Sequence, residues 1–233
     1  MTAPIALIGA LDEEIQAYLD QLQEQRILQW NSIRFYQGLL FGQAVVIVKS
    51  GVGKVFASLV TQKLIDEFQP KAILFTGVAG GLNPDYEVGD IVVAVDCIQH
   101  DLNTTALGIP RGQVPYTDFR FFETDNQLRT WALGAQTAHR IHSGRIVTGD
   151  QFLTQKELHN YHYLTTELAG DAVEMEGAAV AFVSTINALP FLIIRTISDK
   201  ADESASHSYT EFLPLVAHNS LDMVKHLFSQ IPV

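Results

Sequence analysis

Ala72-Ile-Leu-Phe-Thr-Gly-Val-Ala-Gly-Gly81 is the stretch on which the fold turns. Its first four residues form an uncharged apolar run, the pattern of a strand buried on both faces. Its last six are Thr76 followed by glycine, valine and alanine alone. Small residues at a strand's carboxyl end let a ligand come close to the backbone. The reading is a buried strand over Ala72–Phe75, ended by a glycine-rich segment beside a binding site.

The same pattern recurs to either side. Ile5-Ala-Leu-Ile8 stops at Gly9, and Arg34–Tyr36 and Ala44–Val48 follow. Ile91–Val95 comes next, then Arg145-Ile-Val-Thr148, which ends in Gly149-Asp-Gln-Phe-Leu153. Ala172–Met175 and Pro190–Ile194 complete the set, the last running on into Arg195-Thr-Ile-Ser-Asp199. Helical spacing lies between these runs. Ile15, Tyr18, Leu19 and Leu22 share one face after Asp12-Glu-Glu14, and acidic residues suit a helix's first turn. Further helices are expected over Val55–Phe68, 124–138 and about Thr154–Leu168, with a small-residue helix reaching Ala188. Ser208-Tyr-Thr-Glu211 reads as a capping box. It would open a last helix whose inner side holds Phe212, Leu215, Val216, Val224, Leu227 and Phe228. Strand-then-helix alternation predicts an α/β sheet covered on both faces. No linker, repeat or low-complexity tract interrupts it, so residues 1–233 are read as one domain.

The 233 residues carry a formal charge of −11 and no Lys/Arg run, which argues against nucleic-acid or anionic-membrane surfaces. No apolar stretch reaches the length of a membrane span. One cysteine, Cys97, excludes an internal disulfide and reads as core. Met1–Ile5 lacks the basic segment of a signal peptide. A cytoplasmic protein is expected. Ser50-Gly-Val-Gly-Lys54 invites a nucleotide reading, but Val48, Val55 and Phe56 break the phosphate-loop and dinucleotide patterns, leaving a strand-to-helix turn. His159 and His162 have no accompanying third ligand, so no metal site is expected. From His100 to Phe122 the periodicity fails, and a long loop that covers something is expected.

The chemistry is carboxylate chemistry. Asp171-Ala-Val-Glu-Met-Glu-Gly177 sets Glu174 and Glu176 in apolar surroundings, where a carboxylate must be paired, hydrogen-bonded or used. Glu14 and Asp199 stand at other strand ends, with Arg195 as the cation approaching Asp199. No Gly-x-Ser-x-Gly elbow is present. Separated carboxylates in a partly dry pocket suit glycosidic cleavage: one donates a proton, another activates water, a third binds sugar hydroxyls.

Seven ordered motifs then carry a resemblance: Ile8–Glu14, Ser50–Lys54, Thr76–Leu82, Val88-Gly-Asp90, Gly149–Phe152, Val173–Gly177 and Arg195–Asp199. Together they resemble the 5′-methylthioadenosine/S-adenosylhomocysteine nucleosidases of the purine nucleoside phosphorylase superfamily. The resemblance implies a three-layer α/β/α fold with a central mixed, partly barrel-like sheet. It implies hydrolysis of 5′-substituted adenosines, action on aminodeoxyfutalosine included, without metal or cofactor. Asp199 would protonate adenine N7 and Glu14 would activate the water. Glu176 and the Met175 backbone would bind the ribose hydroxyls, and Arg195 and Glu174 would help hold the water. Phe152 would stack on adenine and the Leu153 backbone read its edge. Gly80 would lie against the ligand, and Ser198 belongs to the same substrate-binding set. The 101–119 loop would reach the partner's site in a homodimer. Val78, Leu107 and Ile109 depart from the family pattern near the ribose and the 5′-group. A phosphorylase on this fold and a non-catalytic nucleoside-binding module remain alternatives at this stage.

Overall fold

The computed structural model describes residues 3–153, 160–199 and 205–231, without the side chains of 205–211 and 213–215. In chain order the elements are β1 (Ile5–Gly9), α1 (Asp12–Gln21), β2 (Gln23–Trp30), β3 (Ile33–Leu40), β4 (Gln43–Lys49) and α2 (Lys54–Phe68). Then come β5 (Ala72–Gly81), β6 (Ile91–Gln99), β7 (Phe122–Glu123), α3 (Asn126–Leu133) and β8 (Ile141–Thr148). The last are α4 (Tyr163–Thr166), β9 (Ala172–Glu174), α5 (Gly177–Ile186), β10 (Phe191–Asp199) and α6 (Ala205–Gln230).

One mixed sheet runs in the order β10-β6-β8-β9-β5-β1-β4-β3-β2, with β7 on β6. Strand β10 also pairs with β5, which closes β10, β6, β8, β9 and β5 into a five-stranded barrel. The remaining strands extend from β5 as an open flap. Neighbours β1, β4, β5 and β10 are parallel, whereas β10–β6 and β5–β9 are antiparallel.

The uncharged runs are explained by two separate cores. Ala6, Ile8, Val46, Val48, Ile73, Phe75 and Ile193 pack into one cluster with Ala57, Val60 and Leu64 of α2 and Ala178–Ala181 of α5. Their chain neighbours Ile5, Leu7, Val45, Ile47, Leu74 and Ile194 pack into the other with Ile15 and Tyr18 of α1, Leu128 of α3, and Met223 and Leu227 of α6. Successive strand residues point to opposite faces, so a strand with a core on each side must be apolar throughout. Each such side chain contributes about 1.5–3 kcal/mol on burial. The result is helices on both faces, as the alternation predicts.

Four expectations need correction. Thr76–Gly81 is not a terminating segment: β5 continues through it, because β9 and β10 supply ladder partners as far as Gly81 and Gly80. Strand β2 went unread. It is an edge strand whose start, Gln-Glu-Gln-Arg, is exposed, and only Leu28 and Trp30 near its end pack half-buried against a core. The helix expected over 124–138 is confined to Asn126–Leu133, with Asp125 accepting the Leu128 N–H as its cap. The last helix begins at Ala205, before the Ser208–Glu211 box, whose side chains lie outside the described residues. Much of the helix expected from Thr154, and His159 with it, also lies outside them; Tyr163–Thr166 is its helical end. Residues 100–121 form the expected long loop, with one 3₁₀ turn at Thr105–Leu107. Among the described residues no helix is long and apolar enough to cross a membrane.

Candidate active site

The carboxyl ends of β1, β5, β8, β9 and β10 converge on one cleft. Ala10 and Leu11 come from beyond β1, Val78 to Gly80 from β5, and Gln151 to Leu153 from beyond β8. Val173 and Glu174 lie in β9, Met175 and Glu176 follow it, Ser198 and Asp199 end β10, and Val52 and Glu14 complete the wall. Of the sequence-predicted residues, Glu14, Gly80, Phe152, Leu153, Glu174, Met175, Glu176, Ser198 and Asp199 line it. Arg195 does not; it lies behind the wall, 1% exposed.

Glu14 is in the first turn of α1, aimed back over the end of β1. One oxygen, Oε2, accepts from the N–H groups of Ala10 at 2.5 Å and Leu11 at 3.1 Å. Oε1 accepts from the Val78 N–H at 3.1 Å. Burial pushes the carboxyl above its ordinary value, while the Arg195 charge and these three N–H groups oppose the rise. The Val78 contribution is its backbone amide, so this contact does not depend on the residue type there.

Glu174 is fixed from four directions. Thr148 Oγ1 donates to Oε1, and Oε2 accepts from the N–H groups of Glu176 at 3.1 Å and Gly177 at 2.7 Å. Arg195 Nη2 adds an ion pair at 2.5 Å. Two residues on, Glu176 is held more loosely: Gly53 N–H donates to its Oε1 at 2.8 Å, and Arg195 Nη2 lies 4.0 Å from its Oε2. Burial and the neighbouring Glu174 charge raise the Glu176 carboxyl to about 8, against the pull of Arg195 and the Gly53 amide. One cation thus faces three buried carboxylates, Glu14, Glu174 and Glu176, and its own charged form is favoured by all three, against burial.

Arg195 also lies over the Phe75 ring, 3.9 Å from its centroid. Its Nε and Nη1 have no hydrogen-bond partner among the described residues. Gly77 makes the arrangement possible. A Cβ there would collide with Glu14 Oε1 and stand 2.8 Å from Arg195 Nη1. The Glu14 and Arg195 side chains occupy the space where any other residue would put its own.

At the other strand end Asp199 is 3% exposed, and its Oδ2 accepts from Ser198 Oγ at 2.7 Å. A bulge between Ile197 and Asp199 in the β10–β5 ladder breaks the alternation here. That is how Ser198 and Asp199, adjacent in the chain, both reach the cleft. Phe152 is 47% exposed at the cleft mouth and Leu153 is buried below it.

Sequence reasoning missed Ala10, Leu11, Thr148, Gly53 and Gly77. Four of them act through a backbone amide or through having no side chain, and such roles leave no mark in residue chemistry. Thr148 had a signal: it is the polar residue that ends the buried Ile146-Val147 run of β8. Among the described residues no Lys or Arg lines the cleft.

A family model described as the phosphorylase superfamily matches residues 4–229. The 5′-methylthioadenosine/S-adenosylhomocysteine nucleosidase of Tolumonas auensis is 34% identical over 232 residues, 97% of this chain and 99% of that one. The aminodeoxyfutalosine nucleosidase of Helicobacter pylori is 35% identical over 233 residues, again 97% and 99%. The crystal structure of the Neisseria meningitidis 5′-methylthioadenosine/S-adenosylhomocysteine nucleosidase in complex with methylthio-immucillin-A matches with a TM-score of 0.92 at 34% identity, covering 98% of this chain and 100% of that one.

Proposed function

Because this chain belongs to the phosphorylase superfamily, and within it to the 5′-methylthioadenosine/S-adenosylhomocysteine nucleosidases, we infer that it hydrolyses the N-glycosidic bond of 5′-substituted adenosines and releases adenine. Its substrates are 5′-methylthioadenosine, S-adenosylhomocysteine and 5′-deoxyadenosine, and aminodeoxyfutalosine falls within the same chemistry.

The observation that carries this reading is that Glu14 and Asp199, 185 residues apart in the chain, line one cleft together with Glu174 and Glu176. In the mechanism we favour, Asp199 delivers a proton to adenine N7. The electron pair of the C1′–N9 bond passes to the purine, which leaves neutral. The ribosyl becomes oxocarbenium-like, and the surrounding carboxylates stabilise its positive charge. Glu14 takes a proton from water as the oxygen bonds to C1′. Glu176 and the Met175 backbone grip the 2′- and 3′-hydroxyls, Phe152 stacks on the base, and the Leu153 backbone reads its edge. Arg195 and Glu174 hold the water; the two unpartnered guanidinium nitrogens support that role. Gly80 and Ser198 shape the wall against the ligand.

Hydrolysis is favoured over phosphorolysis by charge. Phosphate needs cations or several free N–H groups, and among the described residues this cleft is lined by carboxylates, with no Lys or Arg. Adenine release from 5′-methylthioadenosine is expected to be independent of added phosphate, with free 5-methylthioribose as co-product. Detection of a sugar 1-phosphate would overturn hydrolysis. Binding without adenine release would return the chain to the non-catalytic alternative.

We further read the enzyme as a cytoplasmic homodimer. Val55, Phe56 and Leu59 of α2 are 80%, 49% and 50% exposed, an apolar face beside the cleft-lining Val52. Leu107 and Tyr116 of the 101–119 loop are exposed as well. A partner seated on this face would bring that loop to the neighbouring cleft. Sedimentation velocity at micromolar concentration is expected to give one species of twice the 25.8 kDa chain mass; a monomer under those conditions refutes the dimer.

A further inference from the structure

Outside the cleft, three segments far apart in sequence are tied by one small charged cluster. Lys54 Nζ pairs with Asp101 Oδ1 at 2.6 Å and lies 3.7 Å from Asp150 Oδ2. The second oxygen of Asp101 accepts from the Asp150 N–H at 3.0 Å. Asp150 Oδ1 in turn accepts from the Lys54 N–H at 2.8 Å. The Lys54 and Asp101 side chains are only 17% and 25% exposed. Burial raises the Asp101 carboxyl, but its Lys54 hydrogen bond, the Asp150 amide and the Lys54 charge hold it below its ordinary value, so it stays ionised.

The cluster sits directly behind two contacts of the site. Helix α2 starts after Gly53, which has no side chain to cap it, and Asp150 supplies the cap from 96 residues away. Gly53 adopts φ +93°, a conformation that favours glycine, and a Cβ there would lie a tight 3.1 Å from Asp150 Oδ1. This conformation turns the Gly53 N–H onto Glu176 Oε1 while the next N–H, that of Lys54, goes to Asp150. Asp150 is also two residues before Phe152. The same carboxylate therefore fixes the donor behind Glu176 and the start of the segment that bears the stacking ring.

We propose that Lys54, Asp101 and Asp150 form a positioning unit that aligns the ribose-binding carboxylate, through Gly53, with the adenine-stacking segment, through Asp150, so that both ends of the nucleoside are gripped in one register. The unit touches no substrate atom; it acts through Gly53 and Phe152. The inference rests on the reading of Glu176 as the hydroxyl-binding group.

The test compares kcat/KM for 5′-methylthioadenosine and its 3′-deoxy analogue, with adenine inhibition measured alongside. In the wild type the 3′-hydroxyl is expected to confer a clear preference. In Asp101→Asn and in Lys54→Met, the preference falls by about tenfold, the worth of a charge-assisted hydrogen bond. Adenine binding weakens with it, and the loss appears chiefly in KM. Lys54→Arg, which keeps the charge, retains the wild-type ratio. If both substrates lose the same factor in Asp101→Asn and Lys54→Met, the unit is merely structural and the proposal falls. A wild type without any 3′-hydroxyl preference removes the Glu176 reading and this proposal together. Should Asp101→Asn fail to fold, Lys54→Met alone decides.

Discussion

Asp199→Asn is expected to lower kcat for adenine release by about 10²–10⁴-fold, the range of a lost general acid, while the affinity for 5′-methylthioadenosine stays within a few-fold. The two side chains have the same shape. Asparagine can still accept from Ser198 Oγ, as Asp199 Oδ2 does at 2.7 Å, and its amide can still donate to a purine nitrogen. What it lacks is a proton that can be given up. Without transfer to N7 the base must leave as an anion, and each 1.36 kcal/mol added to that barrier is a factor of ten in rate. Single-turnover adenine release, set beside calorimetric binding, separates the two quantities. Loss of binding in step with loss of rate would mean that Asp199 holds substrate without acting as the acid. A variant that keeps wild-type kcat would remove it from the chemistry.

Much of this site was legible because its groups violate their surroundings. Carboxylates at 174 and 176 within an apolar run, and glycines where a strand should present side chains, are both anomalies that a sequence displays. The layer architecture was legible for a related reason: a strand with a core on each face leaves no room for polar residues, and Ile5–Ile8 and Ala72–Phe75 show this directly.

Other features depend on what meets what. Closure of the barrel depends on β10 pairing with both β5 and β6, which no local pattern encodes. The same pairing keeps Thr76–Gly81 extended, although its glycines read as a break. The first four residues of β2 are polar because they face solvent, so only Leu28 and Trp30 at its end carry an alternation, too short to detect. The backbone donors to Glu14 and Glu176 are invisible for a different reason: every residue but proline has an N–H, and only the fold decides where it points. Gly77 joins both classes. Its sequence signal is the bare absence of a side chain, and its meaning emerges only when Glu14 and Arg195 are seen to occupy the vacated space.

Glu14→Gln carries the second large expected loss, again about 10²–10⁴-fold in kcat, and it should also change the shape of the pH profile. A base works only when ionised. Burial raises the Glu14 carboxyl above its ordinary value despite Arg195 and three N–H donors. As pH falls through that raised value the carboxylate takes up a proton, and activity is lost on the acid side at a higher pH than an ordinary glutamate would give. Glutamine does not titrate, so the residual activity of the variant is expected to lack this acid limb. The substitution also has a structural cost. All three donors now find an acceptor, two on Oε2 and one on Oε1. An amide has one acceptor oxygen, so its NH₂ must face at least one N–H, at a cost of about 1–3 kcal/mol for the unsatisfied group. Adenine affinity and thermal midpoint, measured on the same preparation, separate that cost from the lost base. An acid limb that survives unchanged in the glutamine variant would assign the limb, and the activation of water, to a group other than Glu14.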